Sequence, residues 1–381
     1  VELHQTLIEL AQDREVRKAA GFRKVAERLD APTLARLYRR QRETAPHRAV
    51  AGKKTLGGRD GTLPKRGARR PEDQLAIALV NHARQAERPL ALPSRLPGDD
   101  PGDLALLDYH VPLKEKAEDL PGLSAPGRVD VVGVGPGSRL AVVMLKYLPP
   151  SATRGATGDT PLRALLEGLA WCAVLDANAE ALRAEATEAF GVELSAAPPL
   201  LYLVGSPRYW ELCRRREAQK GAAWIQQMER LARVLDEGDP KPDEGEDGGG
   251  APSADALGIG VRCLGLVLEG EPAWEIRDDR PELLAPPRLD NAWESTAGRI
   301  KPKARPRPKT QASEPKLVEP DLSRPVRSYS VGESYAAGDR IQHPTLGLGV
   351  VQAVAGPTKI EVLFDGEKRV LVHDRPSPGA A

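Results

Sequence analysis

The stretch RVDVVGVGPGSRLAVVMLKYL (residues 128–148) carries one acid, Asp130, and one base, Lys146, on two short apolar runs joined by Gly-Pro-Gly. Side chains alternate across a strand, so Met144 and Lys146 share a face. A carboxylate and an ammonium on neighbouring strands could manage the charge of a phosphate group: oxygen ligands suit a hard divalent cation, and a compact cation stabilises developing negative charge. The plain alternatives are a surface acid on an edge strand and a lysine whose stem snorkels from a strand end.

These residues depend on the elements that hold them. Residues 71–86, PEDQLAIALVNHARQA, read as a helix with Pro71 in its first turn and Glu72 and Asp73 placed to suit the helix dipole. A strand is expected over 104–114, followed by the hairpin strands near 128–134 and 139–147. Residues 161–182 form a helix that is apolar over most of its surface. PPLLYLVGS (198–206) is a continuous apolar run, as for a strand covered on both faces. Helices near 207–219 and 221–236, an acidic Gly-rich loop (236–253) and a strand near 259–270 follow. This order implies an α/β fold, a mixed sheet flanked by helices, over 71–292.

That hairpin in that setting resembles the PD-(D/E)XK, or restriction-endonuclease-like, nuclease superfamily, whose motif is an acid on one strand, then an acid, any residue and a lysine on the next. Asp130 matches the first acid, and Leu145 and Lys146 match the last two positions. Met144 stands where the second acid belongs, and a thioether is a poor ligand for magnesium. The resemblance implies Mg2+ or Mn2+ as cofactor, with Asp130 and Glu72 as metal ligands and Asp130, Lys146, Glu72 and Glu167 as catalytic residues. Glu72 corresponds to the extra glutamate that many members carry on the preceding helix. Glu167 and Trp171, four apart on the following helix, resemble softly the Gln…Tyr pair of RecB-like members. Without the second acid the metal-assisted rate falls on the order of 100-fold, unless Glu72 or Glu167 supplies a relocated carboxylate. Pairing of Glu167 with Lys146 is the alternative without chemistry.

The end of the chain, GDRIQHPTLGLGVV…KIEVLFDGEKRVL, contains strands expected near 339–343, 349–355, 359–364 and 367–372, with Asp365-Gly366 as a hairpin turn. It resembles the Tudor-like, SH3-type barrel of UvrD/PcrA-type helicases and the polymerase-interacting domain of CarD-like proteins through Gly338, Asp339, His343, Pro344, Gly347, Gly349, Val350, Lys359, Val362 and Phe364. The resemblance implies a small β-barrel over 334–374 that docks RNA polymerase, repair proteins or nucleic acid without catalysis. The glycines at 347 and 349 are read as permitting a tight turn, and His343 as packing in a turn.

The rest of the chain is organised by charge. Residues 1–45 read as a helical extension, with Asp30 capping its third helix. Residues 1–70 hold 18 Lys and Arg against 8 Asp and Glu. Within them 46–70 reads as a flexible basic linker whose Lys53, Lys54, Lys65, Arg66, Arg69 and Arg70 suit contact with DNA phosphates. Residues 293–333 read as a Pro-rich basic linker. The three scattered cysteines argue against a disulfide framework or a zinc site. No apolar run is long enough for a membrane span, the N-terminus is polar without a secretory apolar core, and the cysteines read as reduced core residues, so a cytoplasmic protein is expected. Three functions compete: a metal-dependent DNA nuclease, a nuclease-like protein with a degenerate metal site that associates with nucleic acid, and an interaction protein unrelated to nucleases. Met144 favours the second.

Overall fold

The computed structural model describes residues 4–18, 21–46, 55–64, 70–94, 101–113, 127–154, 159–220, 224–239, 255–294 and 317–375. The chain divides into two units, 1–303 and 304–381.

The first unit is mixed α/β. Its seven-stranded sheet has the order β1 (Leu90–Ala91), β2 (Asp103–Pro112), β3 (Arg128–Gly135), β4 (Arg139–Lys146), β5 (Leu200–Gly205), β6 (Val261–Val267), β9 (Arg288–Asn291). Strands β1 to β4 pair antiparallel, β4, β5 and β6 pair parallel, and β9 returns antiparallel to β6. The hairpin β7 (Trp274–Arg277) and β8 (Arg280–Leu283) stands apart from the sheet, and neither it, β1 nor β9 is legible in the sequence. Each of these four strands is two to four residues long, too short to develop a period.

Alternation along β4 divides its side chains between two cores. Leu140, Val142 and Met144 enter one; Ala141, Val143 and Leu145 enter the other. Strand β5 is buried at every position, as its unbroken apolar run requires of a strand with parallel neighbours and two covered faces. The first core is closed by α1 (Leu7–Gln12), α2 (Phe22–Ala26), α3 (Ala31–Glu43), α5 (Pro161–Ala177), α6 (Ala179–Phe190), α7 (Pro207–Lys220) and α8 (Trp224–Glu237). The second lies under α4 (Pro71–Ala86) and the β7–β8 hairpin.

The N-terminal helices are part of this unit. Leu7, Leu10 and Leu37 share the core of α5, and Phe22 stacks on Trp224 with ring centroids 4.2 Å apart. Asp30 caps α3 as expected, accepting from Thr33 N at 2.9 Å. The single helix expected over 161–182 is broken at Asn178, whose side chain donates to Val174 O and Pro46 O and so competes with helix continuation.

Residues 55–64 correct the reading of 46–70 as a flexible linker. Leu56 is fully buried in the first core. Thr55 N and Leu56 N both donate to Glu185, and Gly57 N donates to Asp108 Oδ2 at 2.8 Å. Gly61 has φ +82°, and a Cβ there would lie 2.1 Å from Asn81 Oδ1, so only glycine fits. A basic, aperiodic sequence concealed these contacts because every partner is distant along the chain.

The second unit is a five-stranded sheet of order β10 (Arg327–Ser328), β11 (Arg340–His343), β12 (Gly347–Gly356), β13 (Lys359–Phe364), β14 (Glu367–Val372). Four of its strands fall where the sequence places them. Asp365 and Gly366 both have positive φ and close a two-residue hairpin with Phe364 opposite Glu367. Its core is Tyr335, Ile341, Val351, Ile360, Val362 and Phe364. Tyr329 Oη donates to Val372 O at 2.7 Å, tying the start of the sheet to its last strand.

This unit extends further upstream than the expected start at 334. Val318 N donates to Gln352 Oε1, Arg324 pairs with the buried Asp339, and β10 pairs parallel with β11. Residues 317–333, read as linker, are therefore bonded to this unit although most of them are exposed, while 295–316 lie outside the described residues. Gly347, with φ +79°, serves the turn as expected. Gly349 does not: it is needed because a Cβ would lie 2.4 Å from the Phe364 ring. His343 Nδ1 accepts from Thr345 N and Leu346 N, a turn-forming role.

Candidate functional site

The β3–β4 ladder ends at Val131 opposite Val143, yet β4 continues beside β5 to Lys146. Where the two strands part, the Asp130 side chain takes over the pairing: Oδ2 accepts from Leu145 N at 2.8 Å. Burial pushes the Asp130 carboxyl up to about 6, against the opposing pull of the Leu145 N–H, the Lys146 ammonium and the Arg128 guanidinium.

Lys146 projects from the end of β4 on the same face as Met144. Its Nζ lies 2.9 Å from Asp159 Oδ1, and each of these side chains is 19% exposed. Burial alone would lower the Lys146 ammonium, but the carboxylates of Asp159, Glu167 and Asp130 outweigh it and raise it. Glu167, two turns into α5, uses Oε1 to accept from Arg163 Nε at 2.9 Å and Nη2 at 2.7 Å. Met144 is 1% exposed and belongs to the apolar core.

A second cluster adjoins Asp130. Asp73 on α4 is buried and pairs with Arg128 and Arg70; His110 Nε2 lies 3.8 Å away. Burial, reinforced by Arg128, pulls the His110 imidazole down to about 4, so it is neutral near pH 7. His110 sits at φ +48° on β2, opposite Asp130 in the β2–β3 register. On the same strand Asp108 is fully buried; it accepts from Gly57 N and Tyr109 N and pairs with Arg59 and Arg84.

The structure therefore brings together Asp130, Lys146 and Glu167, and adds Asp159. On α4 the acid buried against the Asp130 cluster is Asp73, and its neighbour Glu72, turned by about 100° along the helix, is half-buried and acts with Asp73 and Asp130 on Arg70. Of the basic residues read as phosphate contacts, Lys53, Lys54, Lys65, Arg66 and Arg69 lie outside the described residues. Arg70 is described: its exposed side chain bonds Asp73 at the start of α4. The sequence reading missed Asp159, Arg163, Arg128 and His110. Arg163 alone carried a signal, its i, i+4 spacing to Glu167.

These residues do not fit the magnesium or manganese ion expected from the motif. The second acid is a buried thioether, Asp130 Oδ2 is engaged by a backbone N–H, and Lys146 and Glu167 are committed to Asp159 and Arg163. Among the described residues no three His, Cys, Asp or Glu side chains are placed to hold a metal ion. What the cluster does chemically is engage its own cation: the Lys146 ammonium lies amid three carboxylates, one of which, Glu167, is shared with the Arg163 guanidinium.

Comparison of the chain with protein-family models, with characterised proteins and with solved structures returned no match. Among the described residues no helix is long and apolar enough to cross a membrane.

Proposed function

We propose that the first unit is a nuclease-like domain with a degenerate metal site, associated with nucleic acid but not cutting it, and that the second is a Tudor-like module that docks it to DNA or to repair or transcription machinery in the cytoplasm. One observation carries this reading: the position that requires the second metal-binding acid is Met144, sealed in the core, while Lys146 beside it is neutralised by Asp159. The order α4, β2, β3, β4, α5, β5, with β4 parallel to β5, supports the nuclease-like assignment. Association with DNA rests on the basic content of residues 1–70.

The test pairs two assays on the full chain. Plasmid and single-stranded DNA incubated with Mg2+ or Mn2+ should remain intact. Fluorescence anisotropy with a DNA duplex should show binding that weakens steeply with salt. Cleavage abolished by Lys146→Ala would replace this reading with an active nuclease using a relocated carboxylate. Absence of binding at low salt would remove the nucleic-acid association.

A further inference from the structure

A cleft of about 410 Å³ lies between α8 and the β6–β9 edge of the large sheet, away from the Asp130–Lys146 cluster. Its floor is apolar: Met228, Val261 and Ala292 are buried, and Cys263 and Trp293 are half-buried beside them. Its rim is acidic, with Glu229, Asp236 and Glu237 along α8 and Glu294 just after β9. Two guanidinium groups share the rim, but Arg262 is committed to Pro93 O and to Asn291 Oδ1. Four carboxylates thus face Arg233 and an engaged Arg262.

Each class of ligand meets this lining differently. An anion is opposed by the carboxylates. A hydrated metal ion gains nothing from an apolar floor, and the thiol offers it no thiolate, because burial, with Glu229 adding to it, pushes Cys263 up to about 12. A neutral apolar molecule would desolvate the acidic rim without compensating it. An organic cation satisfies both parts: its body covers the floor beside an indole, which attracts cations, and its charge meets the rim.

We propose that this cleft binds a small organic cation, an aromatic or aliphatic amine or quaternary ammonium compound, with its apolar body on Met228, Val261 and Trp293 and its charge toward Glu229 and Glu294. The proposal stands apart from the nuclease-like reading and survives its failure.

The full chain is titrated calorimetrically with benzyltrimethylammonium, with the uncharged N,N-dimethylbenzamide and with benzoate. The ammonium compound should bind saturably, the amide should bind at least about tenfold more weakly, and benzoate should not bind. In Glu229→Gln/Glu294→Gln, a surface variant whose fold is checked by circular dichroism, affinity for the ammonium should fall about tenfold while that for the amide is unchanged. Tryptophan fluorescence, with Trp293 half-buried in the cleft, gives a second reading of the same titrations. No ammonium binding, equal binding of ammonium and amide, or ammonium binding unaltered in the double variant would each overturn the proposal.

Discussion

Lys146 Nζ and Asp159 Oδ1 stand 2.9 Å apart, and this contact determines what the end of β4 can do. The ammonium that could face a phosphate is already neutralised by an acid from the loop before α5. The pair is partly buried, so removing either partner strands a charge in poor solvent. Lys146→Met and Asp159→Asn should each cost about 1–3 kcal/mol. The double variant should cost clearly less than their sum. Urea midpoints of the four proteins measure this, and additive losses would show that the two groups do not support each other.

Asp130 and His110 predict opposing pH dependences. The folded-state carboxyl of Asp130 titrates at about 6, above its unfolded value of 3.8. Its stabilising contribution is therefore full below about pH 4 and lost as pH rises through about 6. For His110 the folded value of about 4 lies below 6.5, so its contribution is present above pH 6.5 and lost as pH falls through 4. The two offset each other between pH 4 and 6. Asp130→Asn keeps an acceptor for Leu145 N–H and removes the ionisation penalty. It should raise stability at pH 7.5 by about 1–3 kcal/mol and give no gain at pH 4. Thermal melts across this range test it, and a gain independent of pH would refute the assignment.

Met144→Glu restores the residue type of the nuclease motif, but places a carboxyl where the present side chain is 1% exposed among apolar neighbours. Burying it should cost at least about 2 kcal/mol. Magnesium-dependent cleavage should remain absent. Gain of cleavage without loss of stability would show that the site tolerates the acid and needs nothing else.

Asp108 holds residues 55–61 against β2. With two guanidinium partners and no exposure, Asp108→Asn should cost about 3–5 kcal/mol. Trypsin should then cut after Arg59 much faster than in the parent protein, and unchanged cutting would mean that this loop is held by other contacts.

His373 in the second unit is 3% exposed, and neither ring nitrogen has a hydrogen-bond partner among the described residues. Burying unpaired polar groups is costly. His373→Leu should therefore leave that unit as stable or increase its stability by about 1 kcal/mol, read from hydrogen-exchange protection of β13 and β14. A marked loss of protection would show that the ring makes an interaction essential to the unit.

Much of the framework was legible because its causes are local. The run of β5, the Asp365-Gly366 turn and the Asp30 cap depend on residues only a few positions apart. The site was half legible. Strand alternation alone placed Met144 and Lys146 on one face, and the type of Met144 already weakened the metal site. Glu72 and Asp73 could not be told apart in the sequence because both acids suit the first turn of a helix; in the fold it is Asp73 that is buried against Arg128.

Sequence by itself thus determined which faces and turns the chain could form, since periodicity and backbone preference act over short range. Only the tertiary structure decided which charges meet. Asp159 reaches Lys146, Gly57 reaches Asp108 across 51 positions, and Arg128 reaches Asp73 across 55. Acids and bases are numerous and interchangeable as letters. A folded core sorts them, because at short distance and low exposure an unpaired charge costs more than the chain can tolerate.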